Sequence, residues 1–235
     1  MSGGIRLVKK IAMAALACLP LCAALPAAAM DGLTPYIRGD LGLSVSRSSG
    51  GNPASGTGFG SDYGQAGSFG LGGGVALTGL PLRFDATLAY RSGYEINSTA
   101  SIPSSAGPLA LTGRGSLSQW LALATAYVDI PVSLGGIQPF VGASAGYAWN
   151  QLGSFTTGIG GIEITEAPKT TGNFAWGLTA GVTMPVTPRF RIDAAYRYLD
   201  AGDVKTSGQT AFGPITPITG KLAADEFVLS FRYSF

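Results

Sequence analysis

The chain of 235 residues contains no histidine, and its only two cysteines, Cys18 and Cys22, stand close together near the N-terminus. Without imidazole there is no usual nitrogen ligand for zinc and no base for a Ser-His or Cys-His nucleophile. Charged residues make up only 12% of the chain, and no apolar run beyond the N-terminal stretch approaches the roughly 20 residues of a spanning helix. There is no P-loop and no dinucleotide fingerprint. Glu163-Ile164-Thr165-Glu166 lacks the ligand density of a calcium loop, and Asp200, Asp203, Glu163 and Glu166 read as solvated loop charges outside any motif. These absences lead to the expectation of a protein that is not an enzyme and that holds no cofactor and no metal.

The N-terminal stretch has its own logic. Arg6, Lys9 and Lys10 precede the apolar segment Ile11 to Leu25, which is broken by Pro20 and followed by Ala27-Ala28-Ala29. A basic start, a short apolar core and small residues at the end are the marks of a secretory signal peptide over residues 1–29, leaving a domain of residues 30–235. Ala15-Leu16-Ala17-Cys18 loosely resembles a lipid-attachment site, but the apolar run before Cys18 is short for that role. Loss of the leader removes three basic side chains and both cysteines. Twelve basic then face thirteen acidic residues, which leaves no basic face for nucleic acid and no possible disulfide.

What the chain does contain is alternation. Residues 36–46, 67–77, 82–91, 117–130, 138–150, 173–184, 189–199 and 222–235 each place apolar side chains on every second position. In the last, Phe227, Leu229, Phe231, Tyr233 and Phe235 share one face, and Glu226, Ser230, Arg232 and Ser234 share the other. Leu121 and Leu123 interrupt the polar face of 117–130. Short connections (78–81, 131–137, 185–188) alternate with long ones (47–66, 92–116, 151–172, 200–221). The pattern predicts an all-β fold, an eight-stranded antiparallel transmembrane β-barrel with short periplasmic turns and four long extracellular loops, and with the N-terminus periplasmic.

Parity sends Arg38, Asp40, Arg83, Asp85, Arg91, Asp129, Arg191, Asp193, Arg197, Glu226 and Arg232 into the lumen. Six cations against five anions predict a lumen charge network that fastens strands together, with an ion path lined by the same residues as the functional alternative. Inward glycines would make room for these long neighbours. Tyr36, Tyr90, Trp120, Tyr147, Trp149, Trp176, Tyr196, Tyr198, Tyr233 and Phe235 suit two interfacial girdles. Tyr63, Ile102, Leu109, Phe155, Phe212 and Ile215 are apolar groups in the loops with no lipid to meet. They either pack the loops together or form a contact surface for a host or neighbouring protein.

Three local sequences carry a family resemblance: Thr34-Pro35-Tyr36-Ile37-Arg38-Gly39-Asp40-Leu41-Gly42; Ala126-Tyr127-Val128-Asp129 with the segment from Gln138 to Tyr147; and Ile192-Asp193-Ala194-Ala195-Tyr196-Arg197-Tyr198 with Phe231-Arg232-Tyr233-Ser234-Phe235. Over residues 31–235 the chain resembles the small outer-membrane β-barrel surface antigens of Gram-negative, especially alphaproteobacterial, species, the porin-like and opacity-protein-like group. The resemblance implies a cell outer membrane location among outer-membrane lipids. It also implies a C-terminal assembly signal, Phe231, Tyr233 and Phe235, read by the barrel-assembly machinery. Three functions remain open: a structural surface protein with a largely closed barrel and exposed loops, an adhesin or binding module acting through those loops, and a narrow porin-like channel. The lack of histidine sets the chain apart from barrel proteases and lipid-modifying enzymes that use it.

Overall fold

A computed structural model describes residues 32–52, 57–62, 64–102, 109–132 and 135–235. The expected leader and Tyr63 lie outside the described residues, as do the side chains of Ile102 and Leu109. Eight long strands make the wall: Leu33–Asn52 (β1), Gln65–Leu77 (β2), Leu82–Ile102 (β3), Leu109–Asp129 (β4), Gln138–Leu152 (β5), Lys169–Pro185 (β6), Phe190–Lys205 (β7) and Thr219–Ser234 (β8). Each pairs antiparallel with the next, and β8 returns to β1 in the register Arg38↔Arg232. Closure is what hydrocarbon demands, because an open edge would leave a row of backbone groups without partners.

The period of two sorts the side chains as expected. On β8, Glu226, Ser230, Arg232 and Ser234 are buried, whereas Phe227, Leu229, Phe231 and Tyr233, and Phe235 just beyond it, are exposed. Leu43, Phe174 and Phe227, each at least 60% exposed, belong to an outward apolar surface that in water would be an open liability. In lipid it is the solvent-matched face. The start of β1, the end of β8 and the short connections lie at one end of the barrel, here the turn end, and the long connections at the other, the loop end.

The long connections differ from expectation. β3 and β4 each run 21 residues, about twice the 9–11 that a tilted strand needs to cross a bilayer. Much of what reads as loop over 92–116 is therefore continuous sheet. Within 151–172, Phe155–Ile159 and Ile162–Glu166 form a hairpin across Gly160-Gly161, both at positive φ (56° and 87°), the conformation that a two-residue hairpin turn requires. Polar alternation in these stretches hides the strands from a search for apolar faces. Bulges between Arg91 and Tyr94 and between Asp200 and Asp203 reset which residues face inward, with Gly93 (φ 107°) and Gly202 (φ 71°) taking the left-handed backbone.

Single cysteines at Ala194 and Tyr196 should react with a lipid-confined maleimide, and those at Asp193 and Arg197 should not. Uniform labelling of all four by an aqueous reagent in folded protein would contradict the barrel.

Candidate functional site

The lumen is where alternation concentrates chemistry. At the turn end, Arg83 Nε lies 2.8 Å from Asp129 Oδ2, and its Nη1 lies 3.7 Å from Asp193. Asp193 Oδ1 also accepts from Thr183 (2.7 Å) and from Arg232 Nη2 (3.1 Å). The guanidinium of Arg83 sits over the rings of Tyr127 and Phe140, at 4.6 and 5.0 Å, and that of Arg232 over Tyr36, at 5.2 Å. One residue pair deeper, Arg38 binds two carboxylates, Asp85 Oδ2 at 2.6 Å and Asp40 Oδ1 at 3.0 Å, and also donates to Tyr127 and Ser230 at 2.7 Å each. Those contacts tie β1 to β3, β4 and β8.

Tyr36 departs from the girdle expected of it. It is 2% exposed, and its hydroxyl donates to Asp85 Oδ2 at 3.2 Å, inside the barrel. Its parity with Arg38 already points there; its place near a strand end does not decide its face. The inward glycines make room for rings as well as for charged residues, since a Cβ on Gly74 would also stand 2.6 Å from Asp85 Cβ. A Cβ on Gly74 would stand 2.8 Å from Tyr36 Cζ, and one on Gly142 would stand 2.6 Å from Tyr127 Cδ1.

A third group spans the barrel. Glu226, fully buried, is held by Arg91 Nε at 2.5 Å and by Arg197 Nε at 2.6 Å. Arg91 Nη1 donates to Gln119 Oε1, Gln119 Nε2 donates to Asn150 Oδ1, each at 2.5 Å, and Asn150 Nδ2 donates to the carbonyls of Ala201 and Asp203 at 3.0 and 3.1 Å. This bracket runs from β8 through β3, β4 and β5 to the backbone of the β7 bulge. Around it the loop half of the interior is apolar: Tyr94, Ile96, Leu117, Leu121, Leu123, Leu152, Leu199, Val204 and Leu222 form one buried cluster. Leu121 and Leu123, which break the polar face in sequence, are the signal for this plug. Phe155, expected among loop groups, is 5% exposed and joins the cluster.

Two further residues depart from expectation. Arg191 is the one member of the expected lumen set with no ion pair among the described residues; it lies half-buried at the turn end, opposite Arg232 in register. Glu166 is 1% exposed where solvation was expected, and its Oε2 accepts from the Gly208 amide at 2.7 Å, joining the β5–β6 and β7–β8 connections. No group of three or more potential metal ligands lies together among the described residues.

An eight-stranded barrel closed strand to strand has counterparts. The chain matches the outer membrane protein beta-barrel domain over residues 14–235. It belongs to that family. Within reach of this outer-membrane barrel are outer membrane protein PagN of Salmonella typhimurium, 29% identical over 70% of this chain and 73% of PagN, and a Brucella suis protein, 28% identical over 83% of this chain and 75% of its own length. Among solved folds, OprG of Pseudomonas aeruginosa aligns with a TM-score of 0.53 at 14% identity, covering 87% of this chain and 96% of OprG. Neisserial surface protein A gives 0.50 at 18% identity, covering 87% of this chain and all of the other.

The outer-membrane barrel's interior makes a sharp contrast testable by urea unfolding in lipid vesicles. Arg38→Ala leaves Asp40 and Asp85 buried without their shared cation and should cost about 3–5 kcal/mol. Arg191→Ala breaks no ion pair and should cost under about 0.5 kcal/mol. Equal losses would show that the observed pairs do not set stability.

Proposed function

We propose that the protein is a closed, non-conducting structural element of the outer-membrane surface, whose barrel carries rigid β-extensions beyond the lipid. The observation that carries this reading is the double filling of the lumen, ion-paired arginines in the turn half and an apolar plug in the loop half. A water-filled path would have to displace both, and eight strands leave no spare bore. In the orientation that supports this role, residues 1–29 are removed as a signal peptide, the turn end and both termini face the periplasm, and the loop end faces outward.

A second reading, adhesion, is favoured by one feature. Phe212 is 89% exposed in a turn of the β7–β8 connection and Ile162 is 67% exposed at the tip of the Phe155–Glu166 hairpin, apolar groups at the loop end of the barrel. The two readings share one architecture, so a structural wall that also presents a contact surface is consistent with both.

Refolded protein in planar bilayers should give no discrete conductance steps. Reproducible steps that change in Arg83→Ala or Asp85→Ala protein would overturn the closed reading in favour of a channel.

The exposed C-terminal aromatics support the assembly role. Removing Phe235, or replacing Phe231, Tyr233 and Phe235 by serine, should leave export intact and lower outer-membrane insertion more than Ile192→Ser does. Equal insertion of the two would mean that these aromatics act only as lipid-facing bulk.

A further inference from the structure

On the outer wall, a row of aromatic side chains runs across three strands. Tyr90, Trp120 and Trp149 are neighbours in register, with Tyr90 and Trp120 rings 4.9 Å apart and Trp149 packed at the same distance on Tyr147. Their outward direction follows from the buried residues on either side of each, among them Arg91, Gln119, Leu121, Ala148 and Asn150. Such a row sits at the headgroup level of a bilayer.

The next outward position on each strand towards the loop end changes character at once. Ser92 follows Tyr90, Ser118 follows Trp120, and Gln151 follows Trp149; Glu95, Ser116 and Thr170 stand beside them. These six residues line a half-open cavity of about 490 Å³, within the usual range for a small-ligand site. Two adjacent irregularities hollow the wall here. β3 bulges at Gly93, and β4 changes partner from β5 at Leu117↔Leu152 to the Phe155–Ile159 strand at Arg114↔Thr156, with Gly153 N bonding Ser116 O at 2.8 Å between them.

We infer that this groove binds the oligosaccharide of a lipid-anchored glycolipid in the outer leaflet. Hydroxyls, one amide and one carboxylate are the groups that exchange hydrogen bonds with sugar hydroxyls, and the aromatic row beneath offers faces for sugar C–H groups. A phosphate as the main ligand is disfavoured, because the one cation lining the groove, Lys169, already donates its Nζ to the Thr206 carbonyl at 3.2 Å. The lipid anchor follows from position: a groove directly above the aromatic row opens into the sugar layer, and one layer further out would be free solvent. The inference rests on the proposed orientation of the loop end, but its binding test does not, since a nanodisc carries glycolipid in both leaflets.

Two of the chain's three tryptophans, Trp120 and Trp149, lie two residues along their strands from the groove residues Ser118 and Gln151 and serve as reporters. Full-length protein in phosphatidylcholine nanodiscs is titrated by tryptophan fluorescence with rough-type lipopolysaccharide, with lipid A stripped of its core sugars, and with the released core oligosaccharide. Wild type should show a saturable change with lipopolysaccharide alone at low mole fraction. Glu95→Ala/Gln151→Ala, which removes two hydrogen-bonding groups, should weaken it by about tenfold, and Ser116→Tyr, which fills the groove, should abolish it. Retained heat-dependent gel mobility shows that each variant is folded. An equal response to lipid A would overturn the inference in favour of acyl or phosphate contact. An equally tight response to free oligosaccharide would overturn the lipid-anchored source in favour of a soluble glycan, and unchanged binding by both variants would remove the groove from the site. Surface labelling of a cysteine at Phe212 on intact cells tests the orientation separately.

Discussion

Everything in this fold follows from the need to pair every backbone amide and carbonyl where no water can reach them. A single sheet closed on itself meets that need, and closure at eight strands then fixes what the interior can be. Side chains on alternate positions are forced outward into lipid or inward into a space only wide enough to be filled. Lipid takes Leu, Phe and Val without specificity. The deeply buried interior, by contrast, favours arginines and carboxylates that pair, because an unpaired charge there is far more costly than a paired one.

The interior meets this demand in two ways along its length. In the turn half, charges alternate around the circumference, so that Arg38 meets Asp40 on its own strand and Asp85 on another, while Arg83 meets Asp129 and Arg232 meets Asp193 across different strands. The pairs between strands are therefore also cross-ties in the wall. In the loop half, charge gives way to packed Leu, Ile, Val and aromatic groups, and the bracket from Glu226 to Asn150 is a polar chain that crosses it. The bracket ends on the carbonyls of the Gly202 bulge, so the chain of contacts that starts at Glu226 and Arg91 reaches, through Gln119 and Asn150, the β7 distortion that carries Val204 inward. The wall, the packing of the interior and the shape of the loop end are linked through these few side chains.

Much of this was legible in sequence because the two environments read two faces of one strand. The parity of Glu226, Ser230 and Arg232 against Phe227, Leu229 and Phe231 needs no tertiary information. What parity cannot see is depth and displacement. Tyr36 looked like a girdle residue because it lies near a strand end, and its contact with Asp85 depends on strands far apart in sequence. The bulges at Gly93 and Gly202 shift the inward set without any break in composition. Glu166 is drawn out of solvent by the Gly208 amide of another connection. Two signals were present but pointed elsewhere: Leu121 and Leu123 marked the plug, and Gly160-Gly161 marked the hairpin in a stretch that reads as loop.

The central claim is that the interior is bonded across the barrel and not merely filled. A double-mutant cycle on Arg91→Met and Glu226→Met, measured by urea unfolding in lipid vesicles, tests it most directly. Cross-barrel bonding predicts a coupling energy of at least about 1.5 kcal/mol, because Glu226→Met alone strands both Arg91 and Arg197, whereas in the double change only Arg197 is left without its carboxylate. Additivity within about 0.5 kcal/mol would contradict it, and would make the lumen charges filler whose observed pairing carries no stability.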